Sequence, residues 1–347
     1  MHPALTTLLR HEPVDADTWR SWWDQLDARR PGPGRDSDRA QAAALLASLT
    51  TRLPDPDTLH ALTTSLTERA PRPGPAHPHA VNVVGTGGGP ATFNISTAAA
   101  LTAATLGVRV VKTGSRAYTS AAGSIDLLDR LRIPLTTSHR HTADHLERHH
   151  IAFAGPHVYP APLTRLARLL HPLPLKPFGR FLNALGPFLA AVPVSAQLTG
   201  VSHTAPLETL RALARHTTDR TLWLAANTAG ADELLPFADN TLHTHTPGAP
   251  HTTLHLPAHA LDDAAGTLAD LAPAPEHLTT HFLDTLTHRA HPTATRTIAL
   301  NAAALAVACG HTPHWPTAYR AALDALADGA PRALAERLSR TPAATHA

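Results

Sequence analysis

Three short stretches of this chain carry residue types that together could hold a phosphorylated substrate. The first is Gly85-Thr-Gly-Gly-Gly-Pro-Ala-Thr-Phe-Asn-Ile-Ser-Thr97, a glycine run followed by Thr92, Asn94, Ser96 and Thr97. Glycines let the backbone approach a ligand and turn its amides inward. A helix start with hydroxyl side chains adds free N–H donors and a favourable dipole, which suits an anion. The spacing fits neither G-x-G-x-x-G nor the Gly-Lys-Ser/Thr of a P-loop. The second stretch pairs Lys112-Thr-Gly-Ser-Arg116 with Ser120-Ala-Ala-Gly-Ser124-Ile-Asp126, adding cations and hydroxyls. The third, Asn227-Thr-Ala-Gly-Ala-Asp232-Glu233, ends in adjacent carboxylates. Such hard oxygen ligands hold Mg²⁺ together with substrate phosphates.

These stretches need a scaffold that aims them at one place. Val81-Asn-Val-Val84 reads as a strand running into the glycine turn, and residues 96–106 read as the helix after it. Val108-Arg-Val-Val111 is a second strand and 124–131 the next helix; Thr221-Leu-Trp-Leu-Ala225 and 252–256 read as further strands. Strand and helix alternating in this way predict an α/β fold with a mostly parallel sheet, and ligands of such sheets bind outside the carboxyl ends of the strands. Residues 4–70 read instead as short amphipathic helices, with Asp55 capping the last of them, and Pro71-Arg-Pro-Gly-Pro-Ala-His-Pro78 as a stiff linker. The 160–189 segment is helical and punctuated by prolines.

Composition excludes several alternatives. The 29 basic and 27 acidic side chains nearly cancel and no basic run occurs, which argues against a nucleic-acid or membrane surface. A single cysteine, Cys309, leaves no internal disulfide. The 26 histidines are scattered through Ala-, Thr- and Arg-rich segments and read as compositional drift. Only Lys112 and Lys176 are lysines among the 29 basic residues, which hints that a compact ammonium matters there. Without a signal peptide or a continuous apolar run of membrane length, the expected location is the cytoplasm.

The order and spacing of the Gly-Thr-Gly-Gly, Lys-x-Gly-x-Arg, Gly-Ser-x-Asp-x-Leu, Asn183-x-Leu-Gly-Pro187 and Gly-x-Asp-Glu runs resemble those of anthranilate phosphoribosyltransferases. The resemblance covers nearly the whole chain. It implies a small N-terminal helical domain (1–70, completed by an inserted segment at about 161–190) and a larger α/β domain (78–160 and 191–340), usually in a homodimer. It also implies transfer of 5-phosphoribosyl from 5-phosphoribosyl-1-pyrophosphate (PRPP) to a small aromatic or heteroaromatic acceptor, with Mg²⁺ as cofactor. Gly85, Gly88, Gly89, Thr92, Asn94, Ser96, Thr97, Lys112, Ser120 and Ser124 would bind PRPP, with Lys112 and Arg116 in catalytic roles. Ser96, Asp232 and Glu233 would hold the metal, and Thr113, Ser115, Tyr159, Gly186 and Pro187 would line the acceptor site.

The chain departs from the family pattern at particular points. Gly89 stands where Asp usually follows Gly-Thr-Gly-Gly, and Lys-His-Gly-Asn-Arg has become Lys112-Thr-Gly-Ser-Arg116. A loop lysine is replaced by Ala121 or Ala122, and the His of His-Pro-Ala by Tyr159. The arginine that pairs with the anthranilate carboxylate has no counterpart in Pro172-Leu-Pro-Leu-Lys176, leaving Lys176 and Arg180 as the nearby cations. Most changes fall on the acceptor side, so the expected acceptor is not anthranilate. A true anthranilate enzyme, a nucleoside phosphorylase and a non-catalytic PRPP-binding dimer remain as alternatives.

Overall fold

The computed structural model describes residues 1–28, 35–114, 123–171, 173, 178–261, 265–272, 275–287 and 289–341. Ser115, Arg116, Ser120, Ala121, Ala122 and Lys176 lie outside them, as does the Arg180 side chain. In chain order come α1 (Pro3–Leu9), α2 (Ala16–Ala28), α3 (Arg35–Thr51), α4 (Pro56–Thr67), β1 (His77–Gly85), α5 (Ile95–Thr105), β2 (Arg109–Lys112), α6 (Ser124–Leu131) and α7 (His139–His149). There follow β3 (Ile151–Phe153), α8 (Ala161–Leu170), α9 (Gly179–Leu189), β4 (Val194–Gly200), α10 (Leu207–Ala214) and β5 (Thr221–Asn227). The chain closes with β6 (Asn240–His245), β7 (Thr252–Leu256), α11 (Leu278–Thr285), α12 (Pro292–Ala308), α13 (Trp315–Ala327) and α14 (Ala330–Ser339).

Two compact units emerge. The first comprises residues 1–72, 156–191 and 206–216 and is helical. Its core gathers Trp19, Trp22 and Trp23 with leucines of α3 and α4. Asp55 accepts the Thr58 amide at 2.8 Å, closing the N-terminus of α4, as Asx residues do before a proline-led first turn. Tyr159, Gly186 and Pro187 belong to this unit, the latter two within α9.

The second unit comprises 73–155, 192–205 and 217–347. It is built on a seven-stranded sheet in the order β3-β2-β1-β4-β5-β6-β7. β3 through β5 pair in parallel, and β6 and β7 join antiparallel, so the sheet is mostly parallel as its β-branched runs suggest. The strand order steps outward in one direction from β1 to β3 and in the other from β4 onward. The reversal between β1 and β4 opens a crevice at their carboxyl ends, where ligands of such sheets sit. α5 and α12 are almost wholly buried and rich in alanine, so two small-residue helices fill the space over the sheet.

On α7, burial lowers the pKa of His145 to about 4, helped by His141, His149 and Arg148. The unfolded chain therefore takes up this proton near pH 6.5 while the folded chain does not. Stability is thus lost as pH falls from about 6.5 towards 4. His145→Phe should flatten the acid limb of urea-measured stability, gaining at most about 2 kcal/mol relative to wild type at pH 5 and nothing at pH 8. Parallel acid limbs in the two proteins would show that other groups govern it.

Candidate functional site

Four strand ends of the second unit deliver the site. β1 ends at Gly85, β2 at Lys112, β4 at Gly200 and β5 at Asn227, all on the carboxyl edge of the parallel sheet. The backbone fixes much of its geometry. A Cβ at Gly200 would overlap the backbone carbonyl of Asp232, and one at Gly85 would overlap the Asp232 carboxylate. The loop after β5 can therefore lie flat across β4 and reach β1 only because both positions are glycine. Asp232 Oδ2 then accepts the Gly87 amide at 2.8 Å.

Asparagines brace that loop. The Asn227 side chain accepts from the Ala229 and Ala231 amides and donates to the Ala231 and Glu233 carbonyls. Asn301, from α12, accepts the Leu234 amide at 3.0 Å and donates to the Leu234 carbonyl at 2.8 Å. Asn240 accepts the Leu235 amide at 2.8 Å. Buried amide side chains satisfy both faces of an irregular backbone, which keeps the two carboxyl groups in place without regular secondary structure.

The carboxyl groups are electrostatically uncomfortable. Burial raises the pKa of Asp232 against the pull of the Gly87 amide and Lys112. Burial and then the neighbouring Asp232 charge raise Glu233 well above the usual carboxylate range. Glu233 Oε1 accepts from Thr92 Oγ1 at 3.3 Å, while its shielded Oε2 has no partner among the described residues. Lys112 is only 5% exposed and donates to the Thr113 carbonyl at 2.7 Å. Its burial lowers its pKa to about 8, with Asp232 and Glu233 pulling the other way. Desolvated charges of this kind call for a ligand that completes the balance.

Several other predicted residues belong to the same unit as this core. Asn94 is the N-cap of α5 and makes no side-chain capping bond; the Ile95 and Thr97 amides donate to the Phe93 and Asn94 carbonyls, so the Ser96 amide is the first-turn donor left for another acceptor among the described residues. Thr97 is buried and its hydroxyl has no partner among the described residues. Gly114 brings Ser124 close: a Cβ there would overlap the Ser124 hydroxyl and lie 3.7 Å from Lys112 Nζ. Ser124 opens α6, whose first turn is closed by Asp126 accepting the Gly123 amide at 2.9 Å. Thr113 is fully buried, its hydroxyl donating to Asn82 Oδ1 at 3.0 Å. Beneath it Asn82 donates to Gln197 at 3.0 Å, and Gln197 donates to Thr199 at 3.0 Å, a polar chain across β2, β1 and β4.

Sequence reasoning missed Asn82, Asn240, Asn301, Ser202 and Thr204, and all of β4. The Ser202 and Thr204 hydroxyls contact the glycine turn from the segment after β4. The run Val194-Ser-Ala-Gln-Leu-Thr-Gly200 alternates apolar and polar residues and is closed by a glycine, a usable strand signal, although the strand is buried along most of its length.

A divalent cation fits this chemistry. Two adjacent carboxyl groups with raised pKa values, one with an unpartnered buried oxygen, form an oxygen-only set of the kind that holds Mg²⁺ with phosphate ligands. Among the described residues no group of three or more His, Cys, Asp or Glu could hold a metal by itself, so phosphate oxygens would supply the rest. Among the same residues, no helix is long and apolar enough to cross a membrane.

Comparison with known proteins agrees with this geometry. Residues 77–332 match the glycosyl transferase family, a/b domain. The anthranilate phosphoribosyltransferase of Geobacillus kaustophilus is 32% identical over 242 residues, covering 68% of this chain and 69% of that protein. That of Caldicellulosiruptor saccharolyticus is 32% identical over 165 residues. The chain spans about half the length of several curated relatives it matches, 48% for this last one and 46% for that of Brevibacillus brevis. Among solved structures, Thermus thermophilus anthranilate phosphoribosyltransferase superposes with a TM-score of 0.73 at 26% identity, covering 98% of both chains. The Saccharomyces cerevisiae enzyme in complex with PRPP and Mg shares the fold, with a TM-score of 0.74 at 20% identity over 93% of this chain and 91% of that one.

Gly200→Ala should destabilise the second unit by about 3 kcal/mol, because the group it meets is backbone that cannot step aside. Gly74, where an added Cβ would meet nothing within 4 Å, is the control, and Gly74→Ala should change stability by less than about 0.5 kcal/mol. Urea unfolding of both variants checks this; equal midpoints would refute the close approach of the two loops.

Proposed function

Because the chain belongs to the anthranilate phosphoribosyltransferase family, within the glycosyl transferases whose a/b domain it carries, we propose that it transfers 5-phosphoribosyl from PRPP to an aromatic acceptor. The observation that carries the reading is the meeting of a glycine turn, a buried lysine and a half-buried carboxyl pair at one strand switch point. A polyanion carrying its own cation satisfies all of these groups at once.

The bond from ribose C1 to the pyrophosphate oxygen breaks, and its electron pair leaves with the pyrophosphate. The acceptor's nucleophilic atom forms the new bond to C1 from the opposite face. The chain's residues hold and neutralise the leaving group. The glycine-turn amides and the start of α5 donate to phosphate oxygens, and Lys112 supplies a fixed positive charge in a water-poor setting. Ser124, whose hydroxyl flanks Gly114 as the Lys112 ammonium does, adds a hydroxyl. Asp232 and Glu233 would hold Mg²⁺, which when bound supplies charge to the departing pyrophosphate. A covalent nucleophile is not needed, because positioning and charge stabilisation carry the reaction.

For the acceptor, two readings have support. The relatives are named for anthranilate. Against that, Thr113 replaces the histidine of the family pattern and spends its hydroxyl on Asn82, which offers an acceptor nothing polar from that position. This favours an aromatic or heteroaromatic acceptor other than anthranilate.

Incubation with PRPP and Mg²⁺, with and without anthranilate, should release pyrophosphate above a no-enzyme control. Release that requires anthranilate identifies it as the acceptor; release indifferent to it supports another partner; no release under either condition, and none over a panel of aromatic acceptors, overturns the assignment. Glu233→Gln should lower kcat/KM by roughly 100-fold or more. The same substitution should leave thermal stability unchanged or raised, since it removes one of two repelling buried charges. A fall in both activity and melting temperature would instead mark Glu233 as a structural residue.

A further inference from the structure

The glycine turn is gripped from behind by the segment that follows β4. Ser202 Oγ donates to the Gly87 carbonyl at 2.6 Å, and Thr204 Oγ1 donates to the Gly88 carbonyl at 3.1 Å. On its other side Gly87 gives its amide to Asp232 Oδ2 at 2.8 Å. Three successive peptide units of the turn are therefore fixed by side chains. We propose that Ser202, assisted by Thr204, is a positioning residue for pyrophosphate recognition. By holding these carbonyls it aims the Gly88 and Gly89 amides at the leaving group. This inference rests on the reading of the site as a PRPP site.

In a trans peptide the carbonyl of one residue and the amide of the next point in opposite directions. A Gly87 carbonyl held by Ser202 thus turns the Gly88 amide away from the 202–204 segment, and a Gly88 carbonyl held by Thr204 does the same for Gly89. Neither amide has a protein acceptor among the described residues. Gly87 and Gly88 have φ of 61° and 78°, a region glycine enters freely. The turn itself has little preference for one orientation of these peptides, so something outside it must choose. Successive amides turned to the same side make an anion-binding concavity, and the two hydroxyls make that choice in advance of the ligand.

The two hydroxyls are unequal. Ser202 is buried, its amide donates to Thr86 Oγ1 at 3.1 Å, and its bond to Gly87 is the shorter. Thr204 is exposed, its bond to Gly88 is longer, and its Oγ1 lies 3.0 Å from Ser202 Oγ in a contact where either hydroxyl could donate. A buried, shorter bond orients more strongly than an exposed, longer one. A Cβ at Gly89 would lie 2.8 Å from the Gly230 carbonyl and 3.0 Å from Ser202 Cβ, so backbone and side chain crowd that position.

The test is calorimetric titration with inorganic pyrophosphate in the presence of Mg²⁺, beside the KM for PRPP and the melting temperature. Ser202→Ala should weaken pyrophosphate binding about tenfold and Thr204→Val about threefold. Thr204→Ser, which keeps the hydroxyl, should bind within about twofold of wild type. Ser202→Ala and Thr204→Val should raise the KM for PRPP in step. If Ser202→Ala does not fold, the Thr204 pair at the exposed position decides the matter. Affinities within twofold of wild type for both hydroxyl deletions overturn the clasp while leaving the donor site intact. Affinity losses that merely follow a lower folded fraction also overturn it. A wild-type protein that binds neither pyrophosphate nor PRPP overturns the clasp together with the PRPP reading.

Discussion

Asp232 lies against two glycines, and the site exists because neither has a side chain. Its backbone carbonyl occupies the place of a Cβ on Gly200, and its carboxylate occupies that of a Cβ on Gly85. That approach carries the β5 loop over β4 to the end of β1, bridging the two halves of the sheet at the point where strand order reverses. The Gly87 amide, the clasp on the glycine turn and the orientation of Glu233 all depend on it. The asparagines that brace the loop are supports for this one contact, and α12 is recruited to it through Asn301.

The same approach creates the electrostatic problem that function uses. Two partly buried carboxyl groups and one buried lysine do not balance, and desolvation pushes all three towards their neutral forms. A core shaped only for stability would have paired these groups or left them out. Their unsatisfied state is consistent with a partner that brings both negative phosphate oxygens and a cation, so that donors, carboxyl groups and ammonium find counterparts together.

Much of the scaffold was legible in the sequence because its signals are local. The glycine turn, the helix beginning near Ser96, the helix at 124–131 and the strand at 252–256 are marked by residues within a few positions of each element. What escaped is non-local. β4 alternates apolar and polar residues, but only its place between β1 and β5 makes it central. Ser202 and Asn301 are ordinary polar residues until the fold sets them beside backbone more than 60 positions away. Thr113 shows the same dependence: its hydroxyl donates to Asn82 on the neighbouring strand, a partner its motif does not reveal.

The uncapped start of α5 and the unpartnered Glu233 oxygen have a consequence for the protein as a population. A fold whose polar groups are completed by its ligands is held together partly by them. Ligand at a hundred times its dissociation constant adds about 2.7 kcal/mol to the folded state, a large share of the margin of an ordinary domain. On the proposed reading of the site, the amount of protein surviving proteolysis in a cell would rise and fall with the supply of phosphorylated sugar and magnesium, coupling the lifetime of the chain to its ligands.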